Sequence, residues 1–180
     1  MRLVLSREHA GLLELIQDKA ANLFDSGEML CAPAVLVTLN RVLGGGLEDR
    51  QAKTLAAALP VGMGGAGCTC GALSGAQLAL GLFLGHKTPW RKMAPSSQEM
   101  HDLFKDRFAS TCCRVLSKKV KHDPKAHKAY CVQLTGQAAS MAAQIILTAR
   151  PELAGSADLT FLSKRTSRLA AGVKKLVGAG

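Results

Sequence analysis

"CGALSGAQLALGLFLG", residues 70–85, carries no charged side chain, and the uncharged stretch around it extends from Thr54 to Gly85. Such a run is either a membrane span or a helix that is apolar on every side and sits at the centre of a fold. Pro60 and the glycines that follow it divide the stretch, and the part free to be helical is shorter than the ~20 residues a span needs. The reading is therefore the central helix of a bundle, with no membrane involved.

Working outward, amphipathic segments supply the helices that would surround this centre. Ser6 can cap a helix whose apolar positions Leu12, Leu13, Ile16, Ala20, Leu23 and Phe24 follow a 3.6-residue period, with Gly27 as its stop. A second begins at about Cys31, tolerates Pro33 in its first turn, aligns Val35, Leu36, Leu39 and Leu43, and ends at the three glycines 44–46. "LEDRQAKTLAAAL" is a third, stopped by Pro60. Beyond the central helix, "HKTPWRKMAPSS", residues 86–97, reads as a loop. Ser96 and Glu99 then form a capping box for the helix "QEMHDLFKDRFAS". "STCCRVLSKK" is a short helical turn, and Asp123 with Pro124 opens a long helix through Tyr130, Cys131, Leu134, Ala138, Met141 and Ile145 to about Ala149. Pro151 ends it. Ser156 is the expected cap of a last helix, residues 157–177. There Leu159, Leu162, Leu169, Val173 and Leu176 oppose Lys164, Arg165, Arg168, Lys174 and Lys175.

The expectation is an all-α, single-domain helical bundle of six or seven helices. Residues 1–150 form a cysteine-bearing domain, and residues 151–180 a basic amphipathic helix packed on it. The 180 residues suffice for one buried core, and with aromatics at 4% that core must be aliphatic and closely packed. The apolar share of 48% leaves room for a homodimer. The N-terminal residues carry charges early and no apolar signal region, so the expected location is cytoplasmic.

Charge is uneven. Residues 118–180 hold eleven Lys and Arg against three Asp and Glu, whereas residues 1–117 hold twelve against ten. The basic part suits docking of an acidic redox partner protein better than nucleic acid, because no recognition motif with interleaved aromatics accompanies it.

Six cysteines in a reducing compartment point to metal or thiol chemistry rather than a disulfide framework. All six cysteines, Cys31, Cys68, Cys70, Cys112, Cys113 and Cys131, lie at or near expected helix ends or inside helices, and near a helix N-terminus the dipole and free amides lower a thiol pKa. Cysteine is also a small hydrophobe that cores often bury. The spacings C-x-C and C-C do not decide between these readings, since neither is the C-x-x-C of zinc ribbons or thioredoxin-like proteins.

Four local stretches taken in order do more. "EMLCAPAVLVTL", "GMGGAGCTCGALSGAQLALG", "FASTCCRVL" and "AYCVQLTGQAA" together resemble the redox-active family named for its pattern C, G-C-A-x-x-G, C, C. The resemblance, over about residues 15–145, aligns Cys31, Cys70, Cys113 and Cys131 with the family's cysteines, with Gly71, Ala72 and Gly75 completing "CGALSG". Cys68 and Cys112 are additional thiols. What the resemblance implies is a small helical protein engaged in electron transfer or thiol redox work. A related helical module occurs in split-Soret cytochromes, where an iron–sulfur cluster is expected, but this chain lacks their haem motif.

Four thiolates match the ligand count of a [2Fe–2S] or [4Fe–4S] cluster, and also of a structural zinc site. Gly67 and Gly71 would let backbone approach such a cofactor. Cys68 or Cys112 could instead form a reversible disulfide with a neighbouring thiol, giving a dithiol oxidoreductase. A further alternative is an interaction module whose cysteines hold zinc or nothing. His9, His86, His101, His122 and His127 read as surface residues. Ser74 has no hydrolase motif around it, and "GMGGAG" lacks the lysine of a phosphate loop.

Overall fold

The computed structural model describes residues 9–169, 171 and 172. Among these the chain is all-α, with α1 Ala10–Asp25, α2 Cys31–Val42, α3 Asp49–Ala56, the single turn α4 Pro60–Met63, α5 Gly71–Leu84, α6 Trp90–Phe108, α7 Cys113–Ser117, α8 Pro124–Ala149 and α9 Leu159–Ser163. A 3₁₀ helix, Pro151–Ser156, precedes α9. No strand is present among the described residues, only an isolated antiparallel bridge between Thr69 and Cys112.

The expected centre is shared by two helices. Every residue of α2 from Ala32 to Asn40 is buried, and α5 buries Gly71–Ala76, Ala79, Leu80 and Phe83 against it. The long α8 closes the bundle over α1, α2 and α5, burying Ala138, Ala139, Ala142 and Ala143 completely. These small side chains let helix backbones approach closely, which is how a core with so few aromatics reaches full packing. No described helix is long and apolar enough to cross a membrane.

Helix starts follow local chemistry. The Asp123 carboxylate accepts the amides of Lys125 and Ala126 at 2.9 and 3.0 Å and caps α8, with Pro124 in the first turn. Glu48 and Gln51 form a capping box on α3. The expected Ser6 cap lies outside the described residues.

Two expectations are corrected. Residues 90–97 are helical, not a loop, and Pro95 stands inside α6. The helix starts after Pro89 and is tied to α5 at the critical turn. There Ser97 Oγ donates to Gln77 Oε1 at 2.9 Å, and Gln77 Nε2 donates to the Ser97 carbonyl at 2.8 Å. Tertiary anchoring outweighs the one amide that proline removes.

The last helix is also interrupted where its periodicity predicts one run, leaving helical geometry after Ser163 and resuming it at Arg168. α9 is capped by Asp158, whose carboxylate accepts the Phe161 amide at 2.8 Å, and it ends at Ser163. Residues 164–167 leave helical geometry because Asn22 of α1 grips both backbone groups of Thr166, at 2.8 and 3.0 Å. The Phe161 ring then lies under Lys19 and Arg41, 4.2 and 4.3 Å from its centroid. Val173, Lys174, Lys175 and Leu176 lie outside the described residues.

Candidate redox site

Cys31 is the first residue of α2, Cys70 the residue before α5, Cys113 the first of α7, and Cys131 lies on the second turn of α8. All four thiols line one cavity of about 130 Å³ whose exposed wall is almost entirely apolar. Leu30, Val61, Leu116, Tyr130 and Leu134 complete much of that wall. Cys68 and Cys112 are not part of it.

The cavity exists because two loops are stitched together. The turn after Pro60 takes left-handed backbone at Val61 and Met63, with φ of 57° and 65°. It is held there by the Gly67 amide on the Val61 carbonyl at 3.3 Å and the Cys68 amide on the Gly62 carbonyl at 3.1 Å. The same loop pairs with the segment before α7. The Cys70 amide donates to Thr111 at 2.8 Å, the Cys113 amide to Cys68 at 2.6 Å, and the Arg114 amide to Gly67 at 3.0 Å. The Arg114 guanidinium adds a bond to the Ala66 carbonyl at 2.7 Å. Cys70 and Cys113 are thereby fixed side by side, while α2 and α8 bring Cys31 and Cys131 from the other side.

The two glycines expected near a cofactor differ. A Cβ on Gly71 would lie 2.5 Å from Cys31 Sγ and 3.1 Å from the Leu59 carbonyl oxygen, so only glycine lets α5 start against that sulfur. Gly67 is corrected. It does not line the cavity, and its amide is committed to Val61, so it shapes the loop instead.

The electrostatics also overturn an expectation. Backbone amides near the thiols, those of Ala72 and Leu73 at Cys70 and those of Val61 and Ala32 at Cys31, act to lower the pKa. Burial in the apolar wall outweighs them. It raises the pKa of Cys31 and Cys113 and pushes Cys70 and Cys131 up to about 12. Burial likewise raises Tyr130.

Raised thiol pKa values give a pH signature. The metal-free fold prefers the protonated thiols, whose ordinary pKa is 9.0, so this contribution to stability is complete below about pH 9 and is lost as pH climbs toward 12. Thermal melting of metal-free protein between pH 8 and 11 should show a falling Tm. In the variant with Cys70 and Cys131 both replaced by alanine the fall is shallower, and equal slopes would show that these thiols do not contribute.

One residue missed in the sequence is His127, which lines the cavity from α8 one turn before Cys131. The i, i+4 spacing puts both on one helix face and could have revealed it. The other four histidines are absent from the wall.

Among the described residues, no group of three or more His, Cys, Asp or Glu is placed to hold a metal ion.

A sequence profile described as "Putative redox-active protein (C_GCAxxG_C_C)" matches residues 29–145, which includes all four cavity cysteines. Searches of curated proteins and of solved structures find no match.

Proposed function

The chain belongs to the C_GCAxxG_C_C family of redox-active proteins, and from that premise we propose that Cys31, Cys70, Cys113 and Cys131 hold an iron–sulfur cluster used for electron transfer. The observation that carries this reading is the ring of four thiols, one from each of four elements, around one apolar cavity. Four soft thiolates are the donor set of [2Fe–2S] and [4Fe–4S] clusters. Four thiolates are equally the donor set of a structural zinc site, which metal analysis separates from a cluster.

Such a cluster supplies one-electron exchange when bound. The protein's own part is to position and shield. Leu30, Val61, Leu116 and Leu134 keep water from the sulfurs, and the first amides of α5 point at Cys70. Beside the wall residues Cys113, Leu116 and Ser117 stand the exposed cations Arg114, Lys118, Lys119, Lys121 and Lys125, with Asp123 as the only acid from 114 to 128. That charge suits an acidic redox partner docking at the cavity rim, and a cytoplasmic setting agrees with both features.

The test is anaerobic purification with iron, zinc and acid-labile sulfide analysis and a visible spectrum. A brown protein with iron and sulfide is expected, and serine at any one of the four positions should cut iron content by more than half. Colourless, iron-free protein overturns the reading, and stoichiometric zinc in its place would assign a structural metal site. In the iron-bearing protein, electron exchange with an acidic carrier should slow as salt rises, and a rate indifferent to salt removes the docking argument.

A further inference from the structure

Cys68, which takes no part in the cavity wall, stands opposite a residue that does. The Thr69–Cys112 bridge is flanked by the Cys70 amide on Thr111 and the Cys113 amide on Cys68, at 2.8 and 2.6 Å. In that antiparallel register Cys68 faces Cys113 across the ribbon. Side chains alternate along each strand, so Cys68, Cys70 and Cys113 share one face, and Thr69 and Cys112 the other. Other contacts agree with the register. Cys70 and Cys113 line the cavity, whereas Cys112 turns away and its thiol donates to the Gly67 carbonyl at 3.1 Å.

The approach of the two chains is close. Cys68 N and Cys113 Cβ stand 2.7 and 2.8 Å from one point, the position a Cβ on Gly62 would occupy, and Gly62 itself has φ of +69°. The Cys113 amide bonds Cys68 while the Cys68 amide turns to Gly62, and opposed residues of an antiparallel pair have Cα atoms about 4.5–5.5 Å apart. That lies within the span of about 4.4–6.8 Å that a disulfide bridges. Cys68 is exposed and Cys113 half-buried, so an oxidant reaches the pair from solvent.

We propose that Cys68 and Cys113 form a reversible thiol pair that a peroxide converts to a disulfide, withdrawing Cys113 from the ring of four. The Cys68 thiolate attacks the O–O bond, forming the S–O bond of a sulfenic acid while the other oxygen leaves as water. Cys113 sulfur then attacks Cys68 sulfur, forming S–S and releasing the second oxygen as water. Two thiols lose two electrons and two protons, and the peroxide becomes two waters. A small dithiol reverses the step by exchange and leaves as its own disulfide. The pairing stands on the ribbon geometry, and only its consequence, that the oxidised protein refuses a cluster, rests on the cluster reading.

The full chain with Cys112→Ser, which leaves Cys113 as the sole thiol between Arg107 and Arg114, is made metal-free, treated with hydrogen peroxide, alkylated and digested with trypsin without reduction. A crosslink between peptides 54–87 and 108–114 is expected in C112S, absent after dithiothreitol, and absent in the double variant C68S/C112S. No crosslink in C112S overturns the proposal. So does a crosslink that persists in C68S/C112S, which assigns the partner to Cys70. Iron uptake is measured on the same samples. Peroxide should lower it at least tenfold in C112S and leave C68S/C112S unchanged, and equal uptake before and after oxidation overturns the withdrawal of Cys113. Uptake that is nil in reduced and oxidised samples alike fails the cluster reading and with it the consequence, whereas the peptide map still judges the disulfide alone.

Discussion

Replacing Gly75 with valine lowers stability by roughly 3 kcal/mol, the upper part of the range for overpacking a core. That corresponds to a Tm about 10 °C lower in a chain of this size. The reason is the seam between the two buried helices. A Cβ on Gly75 would fall 2.9 and 3.1 Å from Cα and C of Ala32 and nearer still to the Ala32 carbonyl oxygen. Those are backbone atoms of a helix buried on all sides, so no side chain can rotate away, and α5 itself must lift from α2. One turn earlier, Gly71 meets Cys31 Sγ, so the same displacement separates two of the four thiols. The variant should therefore expose Cys31 and Cys70 to alkylation as well as lower the Tm. Gly81, with nothing within 4 Å of its absent Cβ, is the control. Alanine there should raise stability by about 0.5–1 kcal/mol, because it removes a mid-helix glycine. A G75V melt within a degree of the parent would mean the seam can open at no cost.

Phe104→Ala is expected to cost about 3–5 kcal/mol, the usual range for emptying a fully buried phenylalanine site. The chain has only five phenylalanines, one tyrosine and one tryptophan, so little aromatic volume remains to refill the cavity. Phe104 is entirely buried and packs on Phe108 with ring centroids 4.8 Å apart. Phe108 in turn meets the Tyr130 ring edge-on at 6.4 Å. Because Tyr130 lines the thiol cavity, the three rings carry the position of α6 to the site wall. The measurements are the Tm, expected to fall by roughly 10 °C, and Tyr130 absorption, which should shift as its ring becomes wetter. Trp90, 73% exposed, is the contrasting position where alanine leaves the melt unchanged. A Phe104→Ala variant that melts like the Trp90→Ala variant would sink the argument.

Much of the fold could be read from local chemistry. Proline and glycine mark the ends of α2, α3, α5 and α8, and the apolar period of α1 selects Leu13, Ile16, Ala20 and Leu23, all buried. The failures lie where distant residues decide. Pro95 breaks helices in general, but the Gln77–Ser97 pair holds this one. Residues 164–167 have helical periodicity, but Asn22 takes their backbone. At the site, the four cysteines named by the family resemblance share one cavity, whereas the two extra thiols have positions that spacing cannot reveal. Their faces depend on a register between loops more than forty residues apart. The lowering of thiol pKa expected at helix N-termini could be anticipated locally, but the burial that outweighs it is tertiary. His127 does not stand out in the sequence because its relation to Cys131 is helical rather than a metal motif.

The placement of the cavity thiols along the chain also sets a timetable for biosynthesis. Cys31 and Cys131 are a hundred residues apart, and α8, which supplies Cys131, Tyr130 and Leu134, closes the wall. At roughly 5–20 residues per second of synthesis, about 5–20 s separate the making of the first thiol from that of the fourth. Throughout that interval Cys31, and later Cys70 and Cys113, have no closed cavity to shelter them. Protection of the nascent chain from oxidants and stray metal ions cannot then come from the fold, which shields these sulfurs only once α8 has been made.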